Sequence, residues 1–132
     1  MKKSTFLSLI AVTTLACINS LFAADLSAAD KQFLTGYEKA RAALTADDLA
    51  GAKAAGATLG ESGSALASSS SLKDARAAFD KLTENAKKLA QGQSGFYVVH
   101  CPMVKKDWVQ TSTKIGNPYG GKEMADCGEI VK

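Results

Sequence analysis

Two short clusters near the C-terminal end hold the side chains with the widest chemical reach. His100-Cys101-Pro102-Met103 sets an imidazole, a thiol and a thioether side by side, and Met124-Ala125-Asp126-Cys127 returns a thioether and a second thiol. Thiolate and thioether are soft donors and together select Cu(I) or Ag(I) over hard ions. The spacings allow chelation. Residues i and i+2 of an extended segment share a face, which brings Cys101 and Met103 together. Residues i and i+3 of a turn or helix do the same for Met124 and Cys127. On a regular strand His100 points away from Cys101, but Pro102 interrupts regularity, so His100 stays in the set behind the four sulfur ligands. Zinc ranks after copper, because Met serves it poorly and only Cys101, Cys127 and His100 would remain.

The same two cysteines admit a second reading. In an oxidising compartment an even pair defaults to a disulfide. Such a bond would close a loop of about 26 residues and contribute roughly 3–4 kcal/mol by the chain-entropy argument, with Met103 and Met124 as apolar fill. The residue chemistry leaves both readings open. Catalysis is not expected. The single histidine has no triad partners in view, there is no Gly-x-Ser-x-Gly elbow, and no glycine-rich phosphate loop precedes a helix. A Cys101/His100 nucleophile pair fails because adjacent side chains diverge, and no Cys-x-x-Cys-His haem attachment occurs.

The order Cys101-Pro102-Met103, then Trp108, then Asn117-Pro118-Tyr119-x-Gly121-x-x-Met124-x-x-Cys127-Gly128 resembles a family of bacterial periplasmic domains. That family occurs as stand-alone exported proteins and at the C-terminal end of periplasmic adaptor subunits of copper/silver efflux pumps. The resemblance covers Tyr97 to Ile130; Val109 and Gln110 follow Trp108 where the pattern has Leu and Ser. It implies heavy-metal handling with copper(I) or a similar soft ion as the bound species. It also implies a metal-efflux adaptor or another periplasmic protein as partner.

The elements that would position this tail lie upstream. Apolar residues recur at helical spacing in three stripes: Ala29, Phe33, Tyr37, Ala40, Leu44; then Leu49, Ala52, Gly56, Leu59, Gly63, Leu66; then Leu72, Ala75, Phe79, Leu82, Ala86, Leu89. Asp47-Asp48 suit the start of the second helix, and Ser71-x-x-Asp74 resembles a capping box for the third. Short joints at Thr45-Ala46 and Ser68-Ser69-Ser70 make the helices antiparallel. The glycines of the second stripe admit a close neighbour, expected to be Phe33, Tyr37 and Phe79, and those aromatics read as core. Lys39, Arg41, Lys53, Asp80, Lys81, Lys87 and Lys88 read as a solvated face.

Gly92-Gln93-Ser94-Gly95 is a linker, after which Phe96-Tyr97-Val98-Val99 is β-favouring. Asn117-Pro118-Tyr119-Gly120-Gly121 is a turn. The expected fold is an all-α antiparallel three-helix bundle over 26–91. Its C-terminal extension over 96–132 holds a short strand-like segment and one helical turn near Glu123. A fourth helix over 106–113 is the rival.

Met1 to Ala23 has the layout of a secretory signal. Lys2 and Lys3 precede an apolar run that Asn19-Ser20 ends, and Ala23 stands at the expected cut. That run, about a dozen residues, is short of the roughly 20 needed to span a bilayer. A lipoprotein signal with Cys17 as the acylated residue ranks second. The expectation is a periplasmic protein whose mature part, 24–132, is one domain with no membrane insertion. The whole chain of 132 residues has a formal charge of +3, and the signal holds two lysines and no acids. What remains is close to neutral, with no electrostatic footprint for nucleic acid.

Overall fold

The computed structural model describes residues 24–132, so the secretory signal expected over 1–23, with Cys17, lies outside the described residues. Helix α1 spans Ala28–Thr45, and Ser27 and Asp30 close a capping box at its start that satisfies two otherwise free amides. Helix α2 spans Leu49–Thr58 with Asp48 as N-cap. A 3-10 turn over Gly60–Gly63 leads into the short α3, Ser64–Ala67. Helix α4, Leu72–Ala90, is capped by Ser71, which accepts from the Asp74 amide.

The second stripe was expected to form one helix and forms two pieces. Gly60, at φ +61°, breaks it and turns the chain back on itself. The small residues then serve a different neighbour from the one expected. A side chain on Gly56 would collide with the backbone of Gly63 and Ala67, so the glycines let α3 fold against α2. Ala52, Gly56, Gly63 and Leu66 are nevertheless buried, as the stripe requires.

An all-α bundle, whether of three helices or four, is not what forms. The described residues hold four α-helices and a three-stranded antiparallel sheet in the order β2-β1-β3. Strand β1 is Tyr97–Cys101, β2 is Lys106–Gln110 and β3 is Glu129–Ile130. Val99 lies opposite Trp108 and His100 opposite Asp107, while on the other side Val99 faces Ile130.

Residues 106–110 therefore pair as a strand where the rival expectation had a fourth helix. Trp108, Val109 and Gln110 are all buried, a run with neither the period of a helix nor that of a one-sided strand. The reason is that β2 is covered on both faces. Trp108 and Gln110 point one way, onto Tyr119, Gly128 and the 112–116 loop. Val109 points the other way, and its amide donates to the Tyr37 hydroxyl of α1. Helices and sheet share one core running from Leu34, Tyr37 and Leu44 through Phe79 and Leu82 to Val99, Trp108 and Val109.

Candidate functional site

The two sulfur clusters sit at the ends of two different elements. Cys101 is the last residue of β1, the central strand, with no exposed surface. Cys127 follows a 3-10 turn over Gly121–Met124, and its amide donates to the Met124 carbonyl at 3.0 Å. The fold joins the two cysteines in a disulfide, with Cα atoms 5.8 Å apart across 26 residues of sequence.

The backbone around that bond is clipped by Asn117, which is fully buried. Its side-chain oxygen accepts from the Tyr119 and Gly120 amides at 2.8 and 3.0 Å. Its side-chain nitrogen donates to the Cys127 carbonyl at 3.1 Å. One residue thus sets the turn and anchors the second cysteine. Gly128, at φ +152°, lies where any side chain would strike Trp108 and Val99. The motif is in large part a folding device.

The five candidate ligands do not form one group. Cys101 and Cys127 are brought together and bonded. Met124 is half-buried on the same turn as Cys127, packed against the core. Met103 lies in the β1–β2 connection and is 75 % exposed. His100 is on the face of β1 opposite Cys101, and its Nδ1 lies 2.7 Å from Asp107 Oδ1. Among the described residues no three His, Cys, Asp or Glu side chains are grouped closely enough to hold an ion. A zinc site of Cys101, Cys127 and His100 is therefore not assembled. A soft ion would have only sulfur to use, and both thiols would first have to be freed.

Arg41, Asp80 and Lys87, which spacing alone assigns to a solvated face, instead help hold the tail in place, together with Arg76 and Asp47. Arg41 is paired with Glu38 and donates from Nη1 to the Gly116 carbonyl at 2.8 Å. Arg76 donates from Nε to the Pro118 carbonyl at 2.8 Å and from Nη2 to Asp47 at 2.6 Å and the Leu44 carbonyl at 3.2 Å. Asp47 also accepts from the Lys122 amide, and that hydrogen bond, with the Arg76 contact, holds its carboxyl below the usual range. The Asp80 carboxylate takes Lys106 and the Tyr119 hydroxyl, and Lys87 reaches Asp107 at 3.0 Å. The Asp107 carboxyl is lowered, first by its hydrogen bond to His100 and then by Lys87. Helical spacing could not reveal the contacts of the helices with the tail, since each joins residues at least 20 apart in sequence.

Two aromatic hydroxyls complete the junction. Tyr37 and Tyr119 both reach the Thr83 hydroxyl, at 2.8 and 3.2 Å, and burial pushes both phenols above their ordinary range. A shallow cleft of about 380 Å³ beside them is lined by Asp80, Thr83, Glu84, His100, Lys105, Lys106 and Asp107. It carries His100 alone of the candidate ligands. Comparison with protein-family models, curated proteins and solved structures finds no match.

Proposed function

We propose that the chain is an exported carrier for a soft ion, Cu(I) or Ag(I), held between Cys101 and Cys127 when their bond is reduced, with Met124 as third donor. The observation that supports this most is the convergence of the two cysteines across 26 residues of sequence, with Met124 on the turn that carries Cys127. Reduction would free two thiols that the bonded form holds together, and a thioether needs no deprotonation to join them. The leader over 1–23 and the motif's likeness to efflux-associated domains support a periplasmic chaperone, sink or efflux accessory. In this reading the protein carries an ion and catalyses nothing.

The test is to load the reduced mature protein, residues 24–132, with Cu(I) and record X-ray absorption at the copper edge. A shell of sulfur alone, three atoms per ion, is expected. A shell containing nitrogen would move the site to His100, and failure to retain the ion would remove the reading.

A second reading takes the bond as permanent, with Cys101 wholly buried. The protein is then a disulfide-stapled interaction module with no metal. A thiol count on protein taken directly from the exported compartment separates the two, since the module keeps Cys101 and Cys127 fully oxidised.

A further inference from the structure

The two sulfurs of the disulfide are unequally placed. Cys101 ends the central strand, flanked by β2 and β3, with nothing exposed. Cys127 lies outside any strand or helix, between exposed Asp126 and the start of β3, and is half-buried. We infer that Cys127 is the reactive sulfur of the pair: a thiolate reductant attacks Cys127 Sγ, and Cys101 Sγ is the leaving group.

The step balances as a thiol–disulfide exchange. The incoming thiolate forms a new S–S bond with Cys127 as the Cys101–Cys127 bond breaks, and the electron pair leaves on Cys101, which then takes a proton. A second thiol from the reductant attacks the mixed disulfide and releases Cys127, completing the two-electron reduction. Two physical effects oppose each other here. Leaving-group chemistry favours attack on Cys101, because a thiolate departs more readily into water than into an apolar interior. Access favours attack on Cys127, because no thiolate reaches a sulfur with no exposed surface. Access decides the site, and burial of the departing Cys101 slows the reaction.

The inference rests on the bonded pair alone and stands whether or not an ion ever binds. It is tested without metal, on the oxidised mature protein, residues 24–132. The protein is treated with excess glutathione under native conditions, quenched in acid and digested, and the glutathionyl adducts on Cys101 and Cys127 are compared by mass spectrometry. The same reaction in strong urea is the control. The native protein is expected to carry at least about tenfold more adduct on Cys127 than on Cys101, and the unfolded chain comparable amounts on both, at a faster rate. Adduct mainly on Cys101, an equal split in the native protein, or no native reaction at all would overturn the inference.

Discussion

The helices and the tail are held by different forces. Residues 28–90 bury regular apolar stripes, with small residues where pieces of helix cross and Tyr37 stacked on Phe79 at 4.5 Å. Residues 96–132 add Val99, Trp108 and Val109 to that core and depend besides on specific polar groups: Asn117, Gln110, two arginines reaching from the helices, and the disulfide. A stripe spreads its burial over many positions, most of them small, with a ring such as Phe79 carrying the largest share. A clip such as Asn117 serves several backbone groups, so its loss leaves all of them without their partner in a partly buried turn. The tail is therefore the part of the molecule where one polar side chain holds several backbone groups, and also the part with the candidate ligands.

That contrast can be broken or sharpened by experiment. Phe79→Ala should be the most damaging change, because the ring packs against both Tyr37 of α1 and Tyr119 of the tail. A loss of about 3–5 kcal/mol is expected in urea unfolding, with both regions destabilised together. Reduction of Cys101–Cys127 should remove roughly 3–4 kcal/mol. It should act unevenly: hydrogen exchange is expected to quicken first over 117–130, while amides of α1 and α4 keep their protection. Uniform loss across the chain would erase the distinction between the two regions. Asn117→Ala leaves the Tyr119 and Gly120 amides and the Cys127 carbonyl without their partner. It should cost about 1–3 kcal/mol, again with the tail opening before the helices.

At neutral pH the last effect is absent, and it appears only under alkaline conditions. Burial raises the Tyr37 and Tyr119 phenols, so the folded protein keeps protons that the unfolded chain releases near pH 10. Stability from this source is fully present below about pH 10 and falls as pH rises above it, by up to about 1.4 kcal/mol per pH unit for each phenol. Tyr119→Phe should flatten that alkaline decline, which a set of unfolding curves between neutral and strongly alkaline pH would show. An unaltered decline would contradict the burial of this hydroxyl.

Legibility in the sequence follows the same division. Tyr37, Ala40, Leu44, Ala75, Phe79, Leu82 and Ala86 are buried where helical spacing puts them, because a packed face repeats with a fixed period. Ser71 and Asp48 cap the helices expected of them, and the β-favouring run after Gly95 is a strand. Lys106–Gln110 was not legible as a strand, because a strand covered on both faces shows no alternation. The all-α expectation failed at that point. Chemistry was half legible: donor types were visible, but which of them meet depends on tertiary placement. His100 is turned to Asp107, Met103 to solvent, and only the cysteines come together. Arg41 and Arg76 left no periodic trace, since their partners are backbone carbonyls of a distant loop.

The soft-ion site proposed for the tail opens only on reduction. A competition titration against a Cu(I) chelator, run in parallel on reduced and oxidised protein, tests this most directly. Reduced protein is expected to bind at least about tenfold more tightly than oxidised protein, a difference of about 1.4 kcal/mol or more. Equal affinity in the two states, or no tight binding in the reduced protein, would contradict it.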